Sequence, residues 1–120
     1  MGKKPRFGTV NSERRKHPRF SLDLPVEYWK GDHTGSHPSR TGDISEGGIL
    51  LYLPHEMEID KNLRLRLFIH SGDDFIFIQP LVKVVWKDFP HGGKGEHRIG
   101  VKFVKISEKD MTILRNFLSI

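Results

Sequence analysis

Two short clusters of side chains in this sequence have the types and spacing to do chemistry. The first is Arg14, Arg15, Lys16, His17, Pro18 and Arg19. Arg15 and Arg19 are four residues apart, but Pro18 disfavours a helix through them, so both guanidinium groups belong to an extended or turned arm. A guanidinium presents a planar fork of donors that fits a phosphate, or the O6/N7 edge of guanine, in bidentate fashion, and it also stacks on base faces. The second cluster is Asp43, Ile44, Ser45, Glu46, Gly47 and Gly48. A carboxylate accepts paired hydrogen bonds, which suits the N–H donor edge of guanine; a serine hydroxyl serves either polarity, and glycine lets backbone approach a ligand. Taken singly, each cluster has a plain structural reading, the first as a charged linker and the second as an ordinary Asp/Ser/Gly turn.

Other chemistries find less support. The chain has no cysteine, so no disulfide framework, thiolate nucleophile or thiolate metal site is available. Its histidines stand at 17, 33, 37, 55, 70, 91 and 97. None forms a helical His-x-x-x-His pair with a partner carboxylate, so no metal is expected, His33 with His37 being the least remote pair. Asp43 has no second well-placed acid apart from Glu46, and no nucleophile has a base beside it, so the chain is not expected to be an enzyme. Trp86 is expected to pack in or against the body, the alternative being a place near a guanine at the barrel surface, and Phe20, Phe103 and Phe117 are expected in the core.

The elements that must position these clusters follow from length and periodicity. A chain of 120 residues, 36% hydrophobic and 29% charged, is one domain with one core, too short for a TIM barrel or a two-halved dinucleotide fold. The net charge of +5 is uneven: residues 1–20 carry a balance of +6, whereas the remaining hundred hold 13 basic and 14 acidic side chains. A basic arm of this kind commonly meets phosphate. The longest apolar runs, Ile49 to Leu53 and Phe75 to Ile78, are far too short to span a bilayer, and no apolar stretch follows the N-terminal basic residues as a secretory signal requires; the cytoplasm is the expected location.

Period-two alternation predicts strands over 24–29, 40–44, 49–53, 63–70, 75–89 and 98–103. The long fifth strand is expected to be bulged or at an edge near Pro80, which cannot donate to a ladder. Turns are expected at Ser45 to Gly48 and Ser71 to Asp74, and a hairpin loop at Pro90 to Gly95. Spacing changes to helical only after Ser107, which with Asp110 resembles a capping box ahead of the apolar stripe Met111, Ile113, Leu114, Phe117 and Leu118. Six strands and one helix in this length predict a mostly β protein: a six-stranded antiparallel barrel, closed to hide its edges, with one C-terminal α-helix. The expected organisation is a basic leader over residues 1–12 and a single barrel domain over 13–120, with the arm at 13–20 and the helix at 107–119.

Together, Arg15-x-x-x-Arg19 and Asp43-x-Ser45-x-x-Gly48 resemble the PilZ domain family, receptors for the bacterial second messenger cyclic di-GMP. The resemblance runs from about Ser12 to the end, and Val84-Val85-Trp86, Arg98-Ile99-Gly100-Val101-Lys102-Phe103 and the C-terminal helix add to it. It implies a six-stranded antiparallel barrel with an N-terminal switch. It also implies that Arg15 and Arg19 clamp the ligand, and that Asp43, Ser45 and Gly48 form the opposite wall around a guanine. Arg14 holds the position that, in this family, influences whether one ligand or an intercalated pair is bound. No cofactor is expected beyond that ligand. A single-domain receptor must act through another protein, so an unidentified downstream partner is expected, with no membrane span. The competing reading is a small nucleic-acid-binding barrel, disfavoured because the near-neutral body offers no interleaved basic and aromatic face.

Overall fold

A computed structural model describes residues 18–30, 35–88 and 97–119. The strands are β1 (Phe20–Ser21), β2 (Pro25–Trp29), β3 (His37–Ile44), β4 (Gly48–Leu53), β5 (Asn62–Ser71), β6 (Asp74–Ile78), β7 (Leu81–Asp88) and β8 (His97–Lys105), followed by the helix α1 (Glu108–Leu118). Hydrogen bonding runs β3–β2–β5–β7–β8–β4 and returns from β4 to β3, so the sheet closes into a barrel. β1 is a short extension paired to β3. β6 and β7 lie one after the other along the same edge of β5. They are therefore one strand interrupted at Gln79 and Pro80, and the barrel is six-stranded and antiparallel as the alternation implies.

The interruption has the expected cause. Pro80 has no N–H to give, but its carbonyl still accepts from the Leu65 amide at 3.1 Å, so only half of one ladder step is lost. The expected single run from 75 to 89 is thus two strands, with residue 89 and the loop expected at 90–95 outside the described residues. The turn before β6 forms as expected, with Gly72 at φ 64° supplying the left-handed conformation it requires.

Inward residues of alternate phase fill the barrel. Val26, Tyr28, Leu51, Leu53, Leu63, Leu65, Leu67, Ile69, Val82, Val84 and Ile99 are all buried, and truncating such a leucine to alanine costs about 2–5 kcal/mol. Leu114 and Leu118 of α1 join this cluster, whereas Phe20, Phe103 and Phe117 pack against it half-buried. The cap of α1 differs from a complete capping box. Ser107 Oγ accepts from the Asp110 amide at 3.0 Å, but the Asp110 carboxylate accepts from the Gln79 amide at 2.9 Å. The acid thus ties the helix start to the strand interruption. No helix among the described residues is long and apolar enough to cross a membrane.

Candidate functional site

Two backbone irregularities aim the site. In the β3–β4 pair the register slips between Thr41 and Asp43. Strict alternation would send Asp43 inward with Thr41; the extra residue, Gly42, keeps Thr41 and Ile44 buried and turns Asp43 to the outer wall. In the β7–β8 pair the slip falls between Val84 and Trp86. Alternation from Val82 and Val84 would put Trp86 in the core, yet Val85 and Trp86 are 45% and 44% exposed.

The registers then set Ser21, Asp43, Leu50, Gly100 and Trp86 side by side across β1, β3, β4, β8 and β7. Asp43 and Trp86 stand three strand spacings apart, about 14 Å, with Leu50 and Gly100 as the floor between them. A Cβ on Gly100 would lie 3.3 Å from the Trp86 ring, so glycine gives the indole its seat. The hollow is a pocket of about 610 Å³ lined by Arg19, Asp43, Ser45, Gly47, Gly48, Trp86 and Arg98 among others, a usual size for a small-molecule site.

The turn between β3 and β4 is built around Ser45. Its Oγ accepts from the amides of Gly47 at 3.1 Å and Gly48 at 3.2 Å, and its own amide donates to the Gly48 carbonyl at 2.9 Å. Two outside contacts hold the loop in place: the Phe103 amide donates to the Gly47 carbonyl at 3.2 Å, and Arg115 of α1 pairs with Glu46. Gly48 is required by space, because a Cβ there would lie 2.2 Å from the Val101 carbonyl oxygen.

Opposite the turn, β1 delivers Arg19. Ser21 pairs with Asp43 and Phe20 with Ile44, which sets Arg19 Nη1 at 4.0 Å from Asp43 Oδ2 while Ser21 Oγ donates to Oδ1 at 3.1 Å. Buried Thr41 straps this approach down, accepting from the Leu24 amide at 2.9 Å and bonding the Leu22 carbonyl. Arg98 completes the far side, pairing with Asp88 with its guanidinium 5.9 Å from the centroid of Trp86.

Of the residues singled out in the sequence, Arg19, Asp43, Ser45 and Gly48 come together at this pocket. Arg14 and Arg15 lie outside the described residues, as do His17, His33 and His91. Trp86 packs against the barrel, but on the pocket side. Arg98 and Gly100 line the pocket without having been foreseen as site residues. A glycine inside a strand, opposite a tryptophan that follows two consecutive valines, was the available signal of close approach and a bulge.

Elsewhere on the barrel, Tyr28 Oη and His55 Nε2 share a hydrogen bond of 3.1 Å. Burial raises the pKa of the Tyr28 phenol, and burial, with Lys30, His37 and His97 nearby, lowers that of His55, so both shifts favour the uncharged pair. Among the described residues no three acids or histidines are placed to hold a metal.

The PilZ domain family matches residues 13–119. The chain belongs to this family. Its barrel is similar to that of the Bacillus subtilis inhibitor of motility MotI/DgrA, with a TM-score of 0.72 and 18% identity over 88% of this chain and 52% of that one. It is also similar to the PilZ domain with c-di-GMP of YcgR from Escherichia coli, at a TM-score of 0.63 and 16% identity over 88% of this chain and 90% of the other. The K. pneumonia MrkH–c-di-GMP complex matches at 0.63 and 19% identity over 88% of this chain and 50% of that one. The PilZ domain described here thus spans about half the length of MotI/DgrA and MrkH. No curated protein matches it in sequence.

Proposed function

We propose that this PilZ domain is a cytoplasmic receptor that binds cyclic di-GMP without turning it over and signals to a partner protein. The observation that carries the reading is the convergence of Arg19, Asp43 and the Ser45 to Gly48 turn on one pocket with Trp86 opposite. Cyclic di-GMP has two phosphates and two guanines, so a site for it needs cations for the former and an arginine fork with a carboxylate for the latter. Asp43 keeps acceptor capacity beside its bond from Ser21, and its contact with Arg19 is long enough to be remade around a guanine edge. The exposed Trp86 indole offers a stacking face. Ser45 acts by shaping the turn, and Gly48 by letting the turn seat against the Val101 carbonyl of β8. YcgR and MrkH, whose structures hold c-di-GMP, support the reading through their shared fold.

The mechanism follows from the charge of the arm. Residues 1–20 carry a balance of +6, and ligand phosphates meeting Arg14, Arg15 and Arg19 would draw residues 13–20 across the pocket, creating a surface for the partner that forms only with ligand. Residues 1–12 then serve as a leader to a binding domain over 13–120. A third guanidinium, Arg14, adds the group needed to hold a second, intercalated ligand.

Calorimetry with cyclic di-GMP against GMP tests this directly. The expected result is binding of the cyclic dinucleotide near two per chain, a ratio falling towards one in Arg14→Leu, and affinity reduced about 10- to 100-fold, or about 1.5 to 3 kcal/mol, in Arg19→Ala. An unchanged dissociation constant in Arg19→Ala would overturn the site. Hydrogen exchange should gain protection over 12–20 and 43–48 on ligand addition, with little change around Leu65. Linear dinucleotide appearing on incubation with magnesium would overturn the receptor reading.

A further inference from the structure

Next to the pocket, the outer wall of β5, β7 and β8 carries cations that no acid among the described residues pairs with. Lys83 and Lys102 face each other directly in the β7–β8 ladder, and Lys105 and Arg64 stand on either side of Leu81. Lys102 also neighbours Gly48 at the pocket's edge. Among the described residues none of these four makes an ion pair, whereas Arg19, Arg40, Arg66, Lys87, Arg98 and Arg115 each meet a carboxylate. Like charges directly opposite on paired strands are destabilising, so the wall keeps a repulsion that one acidic substitution would relieve. The two extra residues of the ladder are valines: register slips at Leu81/Val82 and Val84/Trp86 leave Val104 and Val85 unpaired, 48% and 45% exposed.

We propose that this wall is the docking face for an acidic protein partner. The partner's carboxylates pair with Lys83, Lys102, Lys105 and Arg64, and its aliphatic side chains cover Val85 and Val104. Charge complementarity selects an acidic occupant, and the valines among the lysines select a protein. Single-stranded nucleic acid calls for aromatic platforms among the cations, and stable attachment to anionic lipid calls for a second anchor beside a small basic patch. The link to the pocket rests on the ligand reading above: a dianionic ligand seated against Gly48 lowers the positive potential at Lys102, so ligand and this acidic occupant, which is separate from the partner that reads the ligand-ordered arm, weaken each other. The docking face itself stands without that link.

The test uses the full chain and a capped peptide of glutamates interspersed with leucines, followed by amide chemical shifts. Shifts should concentrate in β7 and β8, and binding should weaken about tenfold or more with glutamine in place of glutamate, or in the Lys83→Glu/Lys102→Glu protein. Lys83→Glu alone should melt about 2 °C higher than the parent, since it replaces a repulsion by a cross-strand pair, so lost binding cannot be lost folding. Peptide shifts on other elements, or unchanged binding in Lys83→Glu, overturn the proposal. So does tighter, Lys83-dependent binding to phosphatidylglycerol vesicles or to an oligonucleotide. If cyclic di-GMP gives no heat while the peptide still binds β7 and β8, the pocket reading fails and the docking face survives.

Discussion

Two hollows lie on neighbouring faces of this barrel, and the smaller is the better candidate for a ligand. The larger, about 1030 Å³, is lined by Pro25, Pro38, Arg40, Tyr52, Pro54 and Phe68 among others, against about 610 Å³ for the pocket at Asp43. In the larger hollow the charged groups are already spent on each other: Arg40 pairs with Asp23 and also donates to its carbonyl at 3.3 Å, and Glu27 pairs with Arg66. In the smaller, Arg19 only reaches Asp43 at 4.0 Å, and the floor is glycine and leucine, so a ligand can approach backbone. Tyr52 separates the two, with its ring over Gly42, where a Cβ would lie 2.8 Å from it. A loosely held arginine–carboxylate contact beside a low floor makes the better candidate; volume alone does not.

The sharpest way to break this contrast is at Gly48. A Cβ there collides with the Val101 carbonyl, a backbone atom that cannot swing aside, so Gly48→Ala should destabilise the fold by about 3 kcal/mol, the upper end for a forced backbone shift. Gly35, with nothing within 4 Å of its Cβ position, should take alanine with a change below about 1 kcal/mol. Denaturant melts of the two variants check this, and equal midpoints would mean that the turn relaxes freely.

The next effect separates the hollows by ligand. Asp43→Ala should weaken cyclic di-GMP binding about 10- to 100-fold, or about 1.5 to 3 kcal/mol, as expected for losing charge-assisted bonds. Asp23→Ala, which breaks the pair in the larger hollow, should leave the affinity within about twofold of the parent, a shift of under 0.5 kcal/mol. Isothermal titration of both variants decides between the two, and the reverse ranking would move the site to the larger hollow.

The smallest effect concerns pH. His55 follows Pro54, at the rim of the larger hollow, and its pKa is lowered in the folded chain. Below the ordinary histidine value of about 6.5 the unfolded chain therefore binds more protons than the folded one, so stability should fall as pH drops through that range and be flat above it. Thermal melts from pH 8 to pH 5 should show the loss in the parent and less of it in His55→Gln. Because His55 is not among the residues that line the pocket at Asp43, cyclic di-GMP affinity should not follow the same curve.

The strands and the helix were legible because period-two and helical spacing are local properties of the chain, and alternation such as Leu63, Leu65, Leu67 and Ile69 leaves a single face to bury. Pro80 announced its own interruption for the same local reason, the missing donor. Arg19, Asp43, Ser45 and Gly48 were legible by residue type and order. Their meeting was implied only by the family resemblance and not by the residues' own spacing, since it depends on β1 pairing with β3 at Ser21 and Asp43, a contact between residues far apart in sequence. Asp110 shows the limit from the helix side: its spacing from Ser107 marked a cap, yet its carboxylate answers Gln79 across the fold.

The sequence by itself determined the barrel, the helix and the chemical types at the pocket, because burial pattern and donor or acceptor character travel with each residue. Only the tertiary structure decided which way Asp43 and Trp86 face. Alternation alone would place both inward, and the slips at Gly42 and Val85 that turn them outward exist only in the registers of β3 on β4 and β7 on β8. Those slips let Thr41, Ile44 and Val84 remain in the core while their neighbours reach the outer wall. Register is a property of two strands together, and neither strand carries it alone.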